Sequence, residues 1–488
     1  MEIKSIKQNF LMNAALSISG VLFPLILHPY VSRCLLPAGM GKVSFAQSFV
    51  AYFKMAAMLG IPNYGVRECA KARDDRESLS RVARELLAIS LALSSLSFAA
   101  LFLCTLSIPR LAEDAPLFLA LGLNIILTSI GMEWLYMGLE QYGYITVRSL
   151  SFRLLSVLLI FALVRSPRDY LLYAALSTLI PSAPCLFNFL HSRLFLSSGP
   201  VPGFRPSRHL ASILVFFGIT CAVTVYNNLD EVMLGFMRGD SAVGYYHIGV
   251  GIELILTNLA TAFGVVLLPR LSNHIAKGEI REFNRLTTKA LRYELLFSTA
   301  ASLYFILFAR ESIDLIYGPA YEKSVLPMQI MMPAMLISST TKVIGNQILI
   351  PSGREKIVLH SVMAGAAVDL IINLLLIPHF AEAGAAVGTV AAEAAVLVWQ
   401  FVYLRPFLSG IFSSFFRLPL LLSLGLASAA SLWVKLLSAP HFLKLLISSV
   451  CFFGTYCLIE FLSGDEATRE LLGICHGAIG RHLRGPRG

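Results

Sequence analysis

The sequence predicts an all-α integral membrane protein of about fourteen transmembrane helices, and three observations predict it. Of its 488 residues, 56% are apolar and only 14% are charged, against roughly 25% charged in a soluble domain. The apolar residues gather in stretches close to the ~20 residues that one bilayer crossing takes. Lys and Arg concentrate on alternate connections between those stretches, the asymmetry that orients membrane proteins. A secreted module, a cytosolic enzyme and a disordered scaffold are excluded, because each needs far more polar surface. If roughly 57% of the chain lies in the bilayer, about 280 residues make about fourteen helices and leave only short connections.

The first stretch, 10–28, follows a charged segment, Met1 to Lys7. Pro24, His28 and Pro29 stand where a signal peptide would place small residues, so an uncleaved helix is expected. The second, 43–61, follows the turn residues Leu36-Pro37-Ala38-Gly39 and an outside loop expected at 29–42. Stretches 85–107, 116–137, 145–164 and 170–190 complete a first six-helix lobe, residues 1–208, with Pro181 and Pro184 interrupting the sixth. Stretches 209–236, 242–268, 291–309, 325–350, 357–377 and 383–403 form a second lobe, 209–404, with Pro333 inside the tenth. The last two, 418–436 and 444–463, belong to a third part, 405–488. Phe407 to Phe416 reads as an interfacial linker, and Gly464 to Gly488 as a short surface helix with a basic end.

Placing the N-terminus inside puts 26 of the 39 Lys and Arg residues on inside segments, nine outside and four within spans. That bias predicts both termini in the cytoplasm and accounts for the formal charge of +10. No basic run interleaves with stacking aromatics, so no nucleic acid partner is expected. The connections after the second and eighth stretches each hold six cations and open on a proline, at Leu59-Gly60-Ile61-Pro62 and Leu267-Leu268-Pro269. This repeat, six helices apart, suggests two similar halves plus an extra pair. The eight cysteines lack a Cys-x-x-Cys pair or a histidine at ligand spacing, so neither a disulfide framework nor a metal site is expected.

Charges inside the bilayer carry the functional signal. Lys54, Arg153, Glu253, Asp369 and Glu393 fall near the middle of their stretches, and Asp230, Glu231 and Lys342 lie nearer an end. Five central charges facing lipid would cost about 15 kcal/mol at about 3 kcal/mol each. A hydrated central cavity avoids that cost. Structural pairing, Lys54 with Glu253 or Arg153 with Asp369, is the alternative for individual residues. Asn373, Thr257 and Asn346 follow Asp369, Glu253 and Lys342 by four residues, on the same helix faces. Tyr226 and Asn227 sit at helical spacing from Asp230 and Glu231. Glu133, Lys435 and Glu460 lie near span ends, where snorkelling suffices. Trp134, Tyr136, Tyr142 and Tyr144 read as an interfacial belt. The segment 66–87 presents Arg73, Arg76, Glu77, Arg81 and Arg84, a face for anionic lipid or simply the orientation rule.

Ser32 to Phe53 running on to Leu59–Lys71, Gly131 to Ser149, Val265 to Ser272, Gln347 to Val362 and Ile377 to Glu393 are similar to stretches of Wzx-type polysaccharide flippases, of the multidrug/oligosaccharidyl-lipid/polysaccharide (MOP) exporter superfamily. The most specific is Tyr226 to Glu253, with its Leu-Asp-x-x-Met-Leu-Gly and Val-Gly-Tyr-Tyr elements. The resemblance covers residues 1 to about 405 and fades beyond. Glu133 departs from it, standing where the family often has aspartate. It implies two six-helix bundles around a central cavity, with two further helices, in the bacterial cytoplasmic membrane. It also implies movement of an undecaprenyl-pyrophosphate-linked oligosaccharide from the inner to the outer leaflet. Lys54, Arg153 and Lys342 would contact pyrophosphate or headgroup. Asp230, Glu253, Asp369, Asn373 and Glu393 would couple an ion, a proton or Na+, or contact sugar. Polymerase and glycosyltransferase partners follow from the same implication.

Two other functions are weighed. A drug/cation antiporter on the same fold would want a net acidic cavity, and two central cations against three anions do not decide. A membrane glycosyltransferase or polymerase would carry acidic motifs on large outside loops. The longest expected here, 29–42 and 310–324, hold none. Nothing matches a P-loop, so an ion gradient or the substrate gradient is the expected energy source.

Overall fold

The computed structural model describes residues 6–197, 199, 203–415 and 418–464. The expected tail helix within 464–488 lies outside the described residues, as do the side chains of the 407–416 linker. Eight described helices are long and apolar enough to cross a membrane. A ninth follows if the bent pair Pro206–Gly218 and Thr220–Met237 is one span. No strand occurs among the described residues.

The chain divides into two compact units, Met1–His247 and Ile248–Gly488. In the first, α1 (Ile6–Met58) is too long for one crossing and is broken at a single residue, Leu36, at φ 60° and ψ 171°. The stretch 29–42 is therefore helix with one break, not the expected loop. Gly60, at φ 78°, takes a left-handed turn that few other residues adopt cheaply. It starts α2 (Ile61–Ala72), with Pro62 in the first turn. Asp75 caps α3 (Arg76–Ser107) by accepting from the Glu77 amide at 3.0 Å. The short α4 (Pro109–Ala112) leads to α5 (Ala115–Ile130) and α6 (Glu133–Gly138), broken apart at Met132 with φ 44°. After α7 (Tyr142–Leu163), the two prolines split the sixth stretch into α8 (Tyr170–Ser182) and α9 (Pro184–Ser192). Last comes α10 (Leu210–Met237), packed on α1.

Both ends of this unit are fastened. At the end the charge bias places outside, Lys42 pairs with Asp114 at 2.7 Å, Tyr170 donates to the same carboxylate at 2.7 Å, and Arg110 pairs with Asp240. The backbones here nearly touch: a Cβ on Gly41 would lie 1.7 Å from the Asp240 carbonyl oxygen, and one on Gly244 would lie 2.0 Å from that of Pro37. At the other end, Arg76 donates to the carbonyls of Leu194 and Leu196, and Arg84 to those of Ser197 and Gly199. Fully buried Glu85 accepts from the Arg205 amide at 2.6 Å, from Arg208 and from His209. Arg76 and Arg84, read from the sequence as an open charged face, instead hold the connection between α9 and α10.

The boundary between units falls inside α11 (Asp240–Ala276). The second unit continues with α12 (Ile280–Leu307), α13 (Ala309–Ile316) and α14 (Val325–Val343), which carries Pro333 and runs into a π-helical turn, Ile344–Leu349. Next is α15 (Glu355–Phe415), broken only at Ala381, with φ 47°. Then α16 (Leu418–Leu432) and α17 (His441–Leu462) form a pair that packs on α12.

Two sequence readings need correcting. Trp134 and Tyr136 are buried, not an interfacial belt. Gly65 packs against the Trp134 ring, and Tyr136 stacks with Tyr144, centroids 5.4 Å apart. Glu460 does not snorkel: it is buried and accepts from Ser423 Oγ at 2.6 Å.

Candidate functional site

Lys54 and Arg153, the central cations of the first unit, sit on different helices. Lys54, on the second limb of α1, donates from Nζ to Asn124 Oδ1 at 2.9 Å. Asn124, on α5, donates in turn to Ser182 Oγ at the end of α8, at 2.8 Å. Among the described residues no carboxylate lies within 4.0 Å of the Lys54 ammonium. Glu133 acts on it only through longer-range electrostatics. A neutral amide thus orients the cation without cancelling its charge.

Arg153, on α7, donates from Nη1 to Ser19 Oγ at 2.8 Å. It lines a cavity of about 250 Å³ between α1, α7 and α8, together with Ser19, His28, Ser156, Tyr173 and Ser177. Phe23, Leu27, Val157 and Pro181 form apolar wall, and no carboxylate is among the described lining residues. This volume is below that of a drug-sized site. It suits a headgroup-sized anion, with hydroxyls and a guanidinium to replace its water.

Beside this cavity runs a polar chain. The His28 ring lies 5.7 Å from that of His247. His247 Nδ1 is 2.7 Å from Glu231, which also accepts from Ser48 at 2.6 Å. Asp230 accepts from Tyr246 Oη.

The second unit holds the other predicted residues in two groups. In the first, five consecutive residues of α14 address carboxylates on three other helices. Ser338 and Lys342 lie within interaction reach of Glu253 on α11, which also accepts from Thr257 at 2.7 Å. Ser339 and Thr340 donate to Glu294 on α12 at 2.5 and 3.1 Å. Thr341 donates to Glu393 on α15 at 3.3 Å. The predicted Lys342, Glu253 and Glu393 therefore share one belt. Asn346 does not keep helical register with Lys342, because the π turn starts between them. In the second group, Asp369 and Asn373 are buried on the first limb of α15 against Gly388 on the second. A Cβ there would lie 2.3 Å from Asn373 Oδ1 and 3.1 Å from Asp369 Oδ1. Glycine permits that close approach.

The alternative pairings, Lys54 with Glu253 and Arg153 with Asp369, would each join residues of different units. Within its own unit each cation bonds a neutral group. Sequence reasoning missed Asn124, Ser19, the His28–His247–Glu231 chain, Glu294 and Arg148. Arg148 lies on α7. Its Nε and Nη1 are buried without a hydrogen-bond partner among the described residues, and its guanidinium lies 5.1 Å over the Tyr144 ring. An amide in the apolar run Gly122-Leu123-Asn124-Ile125 was the available signal for Asn124.

A family model described as polysaccharide biosynthesis protein matches residues 6–274, more than half of the chain. A protein of Escherichia coli (strain K12) named as an O-antigen transporter is 24% identical over 406 residues, covering 82% of this chain and 97% of that protein. The solved structure of the lipid II flippase MurJ, in an inward closed conformation, superposes with a TM-score of 0.71 at 14% identity. The match covers 95% of this chain and all of that one. An inward-facing multidrug resistance MATE family transporter of the MOP superfamily gives 0.54 at 14% identity, covering 83% and 99%. These two structures establish the fold. The chain belongs to the polysaccharide biosynthesis protein family.

Proposed function

We propose that the chain is a flippase for undecaprenyl-pyrophosphate-linked oligosaccharide. It moves the repeat unit from the inner to the outer leaflet of the bacterial cytoplasmic membrane by alternating access. The observation that carries this reading is the Arg153 cavity, cationic and hydroxyl-lined, in a chain of this family. Sugar and two phosphates cannot enter hydrocarbon without replacing their hydration. Arg153 and Lys54 supply charge and donors for the pyrophosphate, with Lys342 as a third cation, while the polyprenyl tail stays in lipid. An arginine among the described lining residues, facing hydroxyls and apolar wall, suits an anionic cargo better than the cationic cargo of a drug antiporter. Transport is coupled to a proton or Na+ gradient, with Asp369 and Asn373 as the oxygen donors and Asp230, Glu253 and Glu393 as further candidates. Both termini face the cytoplasm, and a polymerase and glycosyltransferases act before and after this step.

Lys54→Ala and Arg153→Ala test the reading. Each removes a charge-assisted contact of about 1.5–3 kcal/mol, or about 10–150-fold in headgroup affinity. Surface polysaccharide should fall while the amount of protein inserted in the membrane stays unchanged. Normal export in both variants would remove the cationic-cavity mechanism.

A further inference from the structure

Glu294 is a buried carboxylate that the mechanism above leaves unused. It is 1% exposed, and the partners of its two oxygens are hydroxyls: Ser339 Oγ to Oε1 at 2.5 Å and Thr340 Oγ1 to Oε2 at 3.1 Å. No Lys, Arg or His lies within 4.0 Å of it among the described residues. A buried carboxylate without a countercharge is strongly disfavoured, and such groups usually neutralise instead. The belt as a whole has the same deficit. It gathers Glu253, Glu294 and Glu393 around α14, and the cation on that stretch of α14 is Lys342, which acts on Glu253.

We propose that the α14 belt is a proton-binding site, with Glu294 the group that takes up and releases the proton. The partner chemistry selects a proton. A hydroxyl donates to a carboxylate and equally accepts from a carboxylic acid, so Ser339 and Thr340 serve both states of Glu294 without moving. An N–H partner or a lysine would favour the ionised state alone. Each oxygen already has its hydroxyl, which leaves no cluster of vacant oxygens for a metal ion. The helix is also suited to respond, because Pro333 precedes the belt and a π-helical turn follows it. Either feature weakens the regular hydrogen-bond ladder.

Most other charged groups on the surrounding elements have partners of their own among the described residues. Lys289 lies 5.8 Å over the Tyr293 ring, Glu460 of α17 accepts from Ser423, and Asp314 of α13 lies 3.9 Å from Arg310 and from His441. Lys435 stacks over Phe308, while Glu311 of α13 is the exception, buried with Oε2 lacking a hydrogen-bond partner among the described residues. Tyr456 donates to the Leu296 carbonyl on α12 itself.

The use of this proton rests on the proposed ion coupling, but the site is tested with no lipid-linked substrate present. The purified full chain, in nanodiscs of phosphatidylethanolamine and phosphatidylglycerol, is titrated from about pH 5 to about pH 9, the range reached by buried carboxyls. Infrared difference spectra should show the band of a protonated carboxyl that disappears as pH rises. Glu294→Gln should remove that band and Glu460→Gln should leave it. A band that survives Glu294→Gln, or that does not titrate, overturns the proposal. If Glu294→Gln fails to insert, Thr340→Val decides: losing one hydroxyl should shift the band, and an unmoved band overturns the proposal. Surface polysaccharide plays no part in this readout, so failure of the flippase reading leaves the proton site standing and testable by itself.

Discussion

Gly244→Ala should loosen the end of the first unit where α1 meets the start of α11. Its Cβ would lie 2.0 Å from the Pro37 carbonyl oxygen and 2.8 Å from the Pro37 carbonyl carbon. Carbon–oxygen contacts close at about 3.3 Å, so the two segments must part by about 1.3 Å. The obstacle is backbone and cannot rotate away. Gly244 is helical and its φ is not positive, so alanine by itself would favour the helix by about 0.5–1 kcal/mol. Overpacking opposes it with about 1–3 kcal/mol. The midpoints leave a net loss of about 1 kcal/mol, which changes the ratio of fastened to unfastened molecules by about 5-fold. Spin labels at Ala38 and Ser241, both exposed, report this as a pulsed electron paramagnetic resonance distance distribution. Gly244→Ala should add a population at longer distance. Gly425→Ala, whose Cβ meets open space, should not. Identical distributions in the wild type and Gly244→Ala would refute the reasoning. Gly41→Ala presses on the same contact from the other side, so the two effects should not add.

Glu85→Gln should release the connection between α9 and α10. Arg208 is 43% exposed at its side chain, so the buried-pair cost is discounted to about 1–2 kcal/mol. Faster tryptic cleavage after Arg208 is the readout. Gly65→Ala would place a Cβ 2.8 Å from the Trp134 ring and should cost about 1–3 kcal/mol, seen as a lower thermal midpoint. Hydrogen bonds from the Ser78 hydroxyl and the Glu77 amide hold the Asp75 carboxyl below its ordinary value. A depressed folded-state value means this cap is fully stabilising above the ordinary value and fades as pH falls through the folded one. Amide exchange at Glu77 should therefore quicken below about pH 4, and in Asp75→Ala at neutral pH.

The helices are legible in the sequence because a bilayer imposes length: an apolar run near 20 residues has few other readings. The breaks are less legible. The residue that leaves the helix is Leu36, one before the proline, and at the second break it is Ala381, three residues after Pro378 and within the short gap between the stretches 357–377 and 383–403. Facing is not legible at all where lipid and core are both apolar, which is why Trp134 and Tyr136 read as a belt and lie in the core. The charged members of the candidate site stand out because each is costly in hydrocarbon. Their partners do not. Ser19, Asn124, Ser339 and Thr340 are ordinary residues of apolar runs until the fold brings each to a charge. Glu294 was hidden for a different reason: it lies near the start of its stretch, where a glutamate is cheap, and only packing shows it buried.

The π-helical turn after the belt has a genetic consequence. Such a turn amounts to one residue more than an α-helix would hold. Deleting a single residue within Ile344–Leu349 should therefore restore a regular helix and leave the belt facing as it does, whereas a deletion between the belt and that turn would rotate the belt by about 100° relative to the Pro351 connection. In a library of one-residue deletions, this segment should be the place at the end of α14 where activity survives the loss of a residue.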